Sequence, residues 1–113
     1  MSRDPRLYLD DILESIEAVD EYTQDMDEER FFSSRLIQDA VFRRLEVIGE
    51  AARQLPQEIK DSHPGVPWAD IVGMRNRLTH EYFGVLLDRV WNVVRRDLPV
   101  LRAQIEAVRN AAE

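Results

Sequence analysis

No cysteine occurs among the 113 residues, so disulfides, zinc–thiolate sites and thiol nucleophiles are excluded from the outset. Glycine is scarce, at four residues, and no stretch alternates apolar and polar residues as a half-buried strand would. There is no low-complexity tract and no internal repeat. No apolar run approaches the roughly 20 residues that cross a bilayer. The opening residues, Met1-Ser2-Arg3-Asp4-Pro5, lead into no apolar segment of the signal-peptide kind. The expectation is a single soluble, cytoplasmic domain over residues 1–113 with no membrane contact. A chain of this size buries only about two-thirds of its unfolded surface, and its 44% apolar content is ordinary for a globular core.

Lysine is almost missing too: Lys60 is the one base that is not arginine among 15. The formal charge of −7 argues at first against a nucleic-acid binder, but the acids are unevenly placed. Residues 1–29 hold eleven acids against Arg3 and Arg6, a net −9, and residues 30–113 hold eleven acids against thirteen bases, a net +2. The second stretch can therefore carry a cationic site. Arginine's planar fork suits bidentate phosphate contact, although genomic base composition also raises arginine over lysine.

What is present is helical periodicity. Asp4 is placed to cap a first helix with Pro5 at its first position. Ile12, Ile16, Val19, Thr23 and Met26 then recur at steps of four and three, opposite an acidic face. Asp27 can cap a short turn carrying Phe31 and Phe32. Ser33 or Ser34 opens a second long helix that runs to Leu55 and stops before Pro56. Its stripe of Ile37, Val41, Ile48, Ala52 and Leu55 is widened by Leu36, Ala40, Val47 and Ala51. An apolar arc that broad faces either two neighbours or a core and a partner subunit, and in so small a domain the second is favoured. Residues 56–67 hold Pro56, Pro64, Gly65 and Pro67 and form the long connection, with room for one helical turn at Gln57 to Lys60. Pro67 starts a short helix through Trp68, Ile71, Val72 and Met74. From Leu87 onward, Leu87, Trp91, Val94, Leu98, Leu101, Ile105 and Val108 keep one register across Pro99. A proline inside a helix removes a hydrogen bond and bends the axis, so two collinear pieces hinged at Asp97 to Pro99 are expected. The fold class is all-α, a four- to five-helix, mostly antiparallel bundle.

Chemistry concentrates in Met74-Arg75-Asn76-Arg77-Leu78-Thr79-His80-Glu81-Tyr82-Phe83-Gly84-Val85. The other histidine, His63, lies in a loop sequence and reads as solvated. On a helix, residues three or four apart share a face and residues five apart do not. For Arg75 and His80 to meet on one ligand, the helix must end or tighten between them, and Gly84 makes a nearby break plausible. Asp10, Asp11, Glu14 and Glu17 have the composition of a divalent-cation cluster, but acids so spaced on a surface helix are ordinarily a solvated face. Arg43-Arg44 and Arg95-Arg96 are either basic rims for RNA or partners for nearby acids, such as Arg43 with Asp39.

The run Arg75-x-x-x-x-His80-x-Tyr82 resembles the signature of HEPN-domain proteins of the HepT type, the toxin half of a nucleotidyltransferase-linked toxin–antitoxin pair. The resemblance covers nearly the whole chain. It takes in Asp39-Ala40 and Ile48-Gly49-Glu50-Ala51 on the second long helix, Pro67-Trp68 before the motif, and Trp91 and Asp97-Leu98-Pro99 after it. It implies an all-helical, homodimeric endoribonuclease acting on RNA without metal or cofactor. Arg75 and His80 would be catalytic, Asn76 an adjacent polar helper, and Tyr82 the acceptor of adenylyl groups from a cognate MntA-like nucleotidyltransferase antitoxin.

The chemistry can be argued separately from the resemblance. Metal-free RNA cleavage uses the 2′-hydroxyl as nucleophile. It needs a base for that proton, an acid for the leaving 5′-oxygen and a cation for the phosphorane. Histidine titrates near neutrality and serves either proton role, and arginine stays charged and grips phosphate. One chain supplies one motif histidine, and a two-fold dimer supplies two. A bland reading of the same residues pairs Arg75 with Glu50 and packs His80 and Tyr82 as structural groups. A different class of function also fits: a non-catalytic, nucleotide- or protein-binding helical partner of a nucleotidyltransferase.

Overall fold

The computed structural model describes residues 3–80 and 87–112, with Arg75, Leu78, Thr79 and His80 described by their backbone alone. Helix α1 spans Pro5–Thr23, α2 Glu28–Ser33, α3 Arg35–Gln54, α4 Gln57–Ser62 and α5 Trp68–His80. Helix α6 (Leu87–Asn92) runs through a π-helical turn, Val93–Asp97, into α7 (Leu98–Ala111). There is no strand among the described residues, and the all-α bundle expected from the periodicity is what forms.

The helix starts follow from short polar side chains. The Asp4 carboxylate accepts from the Arg6 backbone N–H at 2.9 Å, with Pro5 at the first helical position. The Arg6 guanidinium also grips that carboxylate, and together these contacts lower its pKa to about 2. The depressed value means that the stabilisation is complete above the usual carboxylate range and is lost only as pH falls through about 2. Asp27 caps α2 by accepting from Arg30 N–H at 2.8 Å, and Ser34 caps α3 by accepting from Ile37 N–H at 3.3 Å. Between α1 and α2, Asp25 sits at φ 63°, in the left-handed region that aspartate tolerates better than branched residues do.

One continuous core gathers Leu9, Ile12, Ile16 and Val19 of α1, Val41, Leu45 and Ile48 of α3, and Leu101, Ile105 and Val108 of α7. Helix α3 packs on both α1 and α5, and α1 also meets α7. The broad arc of α3 meets both of these neighbours: Ala51 and Ala52 are buried and Ala40 and Val47 half-buried, while Leu36 stays 79% exposed.

Pro99 does not break the C-terminal rod into hinged pieces. It lacks the N–H that would bond the Arg95 carbonyl, and its ring crowds that carbonyl. The backbone widens there instead: Leu98 N–H donates to the Val93 carbonyl, an i to i+5 bond, and Asn92, Asp97 and Leu98 all keep right-handed helical angles. The stripe therefore stays in register, with Val94, Leu98, Leu101, Ile105 and Val108 all buried.

Ser15 is 1% exposed and its hydroxyl has no hydrogen-bond partner among the described residues. Removing an unsatisfied buried hydroxyl relieves its desolvation cost, so Ser15→Ala is expected to stabilise the fold by about 1 kcal/mol. Chemical denaturation checks this through a higher midpoint at unchanged slope. A lower midpoint would show that the hydroxyl is satisfied in solution.

Candidate active site on helix α5

The approach to α5 is fixed by one carbonyl. His63 ends α4, and its C=O accepts both the Val66 N–H at 3.2 Å and the Trp68 indole N–H at 3.0 Å. His63 thus contributes its backbone to the fold. Trp68 and Ile71 are buried and Val72 and Met74 half-buried, and this apolar arc seats α5 against α3.

The helix then runs without interruption through position 80, where the sequence reading required an end or a tightening between Arg75 and His80. At 3.6 residues per turn the two positions lie roughly 140° apart around the axis and about 7.5 Å apart along it. Position 75 shares the arc of Trp68, Ile71 and Val72, the arc turned to α3. Position 80 shares the arc of Ala69, Gly73 and Asn76. Ala69 and Asn76 are exposed, and a Cβ at Gly73 would meet nothing within 4 Å. The backbone therefore sets the two motif positions on different arcs of α5, with Asn76 on the arc of position 80. Tyr82 and the segment Tyr82-Phe83-Gly84-Val85 lie outside the described residues.

The other arginines sort by their partners. Arg95 is a structural cap: its guanidinium donates to the Thr23 carbonyl at 2.6 Å and the Met26 carbonyl at 2.7 Å, and lies 4.4 Å over the Trp91 ring. It satisfies carbonyls at the end of α1 and just beyond. Arg96 is exposed. Arg44 donates to the Tyr22 hydroxyl at 3.4 Å. Arg43 is exposed along a cleft of about 310 Å³ between α1 and α3, where Asp11, Glu46 and Glu50 outnumber Arg43 and Arg3, a balance that does not favour phosphate. Arg77 donates to the Asp70 carbonyl at 3.2 Å. The acids of α1 are held as a surface: Asp10 pairs with Arg109 at 2.8 Å and Asp11 with Arg3 at 2.6 Å. Among the described residues no group of three or more potential ligands could hold a metal ion, and no helix is long and apolar enough to cross a membrane.

One feature was missed from the sequence. Helices α4 and α5 flank an open groove of about 510 Å³ with Gln57, Lys60 and Asp61 on one side and Trp68, Ala69 and Val72 on the other. Nothing in a proline-rich connection signals such a groove, because it exists only once α4 folds back beside α5.

A family model described as "Ribonuclease HepT-like" matches residues 12–108. Among similar proteins, the chain is 40% identical over 109 residues to a "Probable ribonuclease HepT" of Thermococcus cleftensis, covering 96% of this chain and 99% of that one. It is 42% identical over 106 residues to a "Putative RNase" of Methanocaldococcus jannaschii, covering 94% of this chain and 97% of the relative. It is also 47% identical over 105 residues to a "Gamma-glutamylcyclotransferase and putative RNase" of the same organism, covering 93% of this chain but 47% of that longer protein. No solved structure matches. A match of this extent leaves one conclusion: the chain belongs to the HepT-like ribonuclease family.

Proposed function

We propose that this protein is a metal-independent endoribonuclease toxin, acting as a homodimer on RNA in the cytoplasm and neutralised when a cognate nucleotidyltransferase antitoxin adenylylates Tyr82. Arg75 and His80 are its catalytic residues and Asn76 a neighbouring polar helper. The observation that carries the reading is the register of α5. Position 80 falls on the helix arc that carries the exposed Ala69 and Asn76, apart from the arc of Trp68 and Ile71.

In the reaction, the 2′-oxygen attacks the adjacent phosphorus, a 2′-O–P bond forms and the P–O5′ bond breaks. The His80 imidazole takes the 2′-proton and delivers a proton to the departing 5′-oxygen. Arginine stabilises the charge that builds on the phosphorane oxygens.

Purified protein incubated with total RNA in excess chelator is expected to leave 2′,3′-cyclic phosphate and 5′-hydroxyl ends. A strict requirement for magnesium would overturn the mechanism. Tyr82→Phe is expected to keep cleaving RNA while escaping the antitoxin. With antitoxin and ATP, the wild type gains about 329 Da per adenylyl group, a mass set by AMP. Equal gain in Tyr82→Phe would place the acceptor elsewhere. Adenylylation without any RNA cleavage would instead favour the non-catalytic partner.

A further inference from the structure

The groove between α4 and α5 borders the arc of α5 that carries Ala69, Gly73, Asn76 and position 80: Ala69 lines it from that arc, and Trp68 and Val72 from the neighbouring one. From Ala69 to position 80 is about 16 Å along the helix, a span that a few nucleotides of single-stranded RNA cover. We propose that this groove is an RNA subsite, holding a nucleotide that flanks the cleaved bond, with Lys60 as its phosphate contact. The inference rests on the ribonuclease reading above.

Three observations favour RNA as the occupant. Lys60 is half-buried and forms no ion pair among the described residues, so its ammonium is available to an anion. Asp61 also lines the groove, its carboxylate accepting from the Gln57 amide at 2.9 Å, and Lys60 is the one cation among the lining residues. The inner wall is apolar and rigid: Trp68, 8% exposed, is held by its indole N–H on the His63 carbonyl, and it backs the surface formed by Val72 and the exposed Ala69. A fixed apolar wall with one cation at its edge is the arrangement that takes a base against the wall and its phosphate at the rim.

The test separates binding from cleavage by measuring both. Binding of a fluorescent oligoribonucleotide of about ten nucleotides is followed on the His80→Ala background, with Lys60 intact and as Lys60→Gln. Lys60→Gln is expected to weaken binding roughly tenfold and to make the slope of log K against log salt shallower by about 0.7, one phosphate contact on a single strand. Lys60→Arg is expected to restore most of the affinity. In cleavage, Lys60→Gln lowers kcat/KM on the long RNA and leaves a dinucleotide unaffected, because a dinucleotide cannot reach the groove. Unchanged binding and an unchanged salt slope in Lys60→Gln overturn the subsite even if cleavage is robust. Absence of cleavage with the Lys60 effect on binding intact overturns the ribonuclease reading and keeps the groove as an RNA site. If the long RNA and the dinucleotide lose equally, Lys60 acts at the reacting phosphate and the subsite is wrong.

Discussion

Arg75→Ala and His80→Ala are each expected to lower RNA cleavage by at least about a hundredfold, the usual size of a lost proton-transfer or charge-stabilising group. An equimolar mixture of the two inactive proteins is then expected to recover about one quarter of the wild-type rate, as two-fold symmetry dictates. The reasoning begins with the uninterrupted α5. Positions 75 and 80 diverge by roughly 140° on one helix, so a site that uses both is more readily built with one position from each chain. Half of the dimers in a random mixture are mixed, and each mixed dimer has one intact site of two. The measurement is initial cleavage rate after subunit exchange, with mixed dimers counted by native mass spectrometry. Mixed dimers that form and stay inactive would show that both groups must come from the same chain, or that every site needs both copies of each. Circular dichroism on the single variants confirms that the loss is chemical and not unfolding.

The second large effect concerns two adjacent phenylalanines. Phe31 is 0% exposed and its ring lies 5.2 Å from that of Trp91 at 31°. Its carbonyl accepts from the Gln38 side-chain amide at 2.9 Å. Trp91 in turn carries the Arg95 guanidinium that bonds the carbonyls of Thr23 and Met26. Phe31 is therefore where α2, the end of α1 and the start of the C-terminal rod come together. Phe31→Ala is expected to cost about 3–5 kcal/mol through lost burial and an unfilled cavity, a large share of a total stability of roughly 5–15 kcal/mol. The matching fall in melting temperature is about 15–25 °C. Phe32 is 41% exposed, and Phe32→Ala is expected to shift stability by no more than about 0.5 kcal/mol. Thermal unfolding of the two variants side by side decides the matter, and comparable losses would falsify the assignment of Phe31 as the anchor.

Much of this protein was legible before any coordinates. Helix starts at Asp4, Asp27 and Ser34 followed from short polar side chains that can satisfy free backbone N–H groups. The apolar stripe from Leu87 to Val108 marked the C-terminal rod, because burial on one side imposes a period on the residue types. The motif Arg75, Asn76, His80 and Tyr82 was legible as chemistry and as a family signature, and the family is borne out by the match over residues 12–108. These are local facts, or facts of residue order, and a linear chain carries them whole.

The tertiary structure decided what depends on neighbours far along the chain. Which neighbours the broad arc of α3 meets could not follow from its own residues, since α1 and α5 supply the burial. Arg95 reads as one of two surface bases until the turn after α1 comes within 2.7 Å of it, 69 residues back in sequence. Pro99 signals a disturbance, yet whether the helix breaks or widens depends on the packing that holds both sides in register. Lys60 carries no sign of a role until α4 folds beside α5 and sets it on the rim of a groove. Local propensity selects the elements, and contacts between distant elements select which faces are used. The candidate site is read from the first, and the surface that serves it from the second.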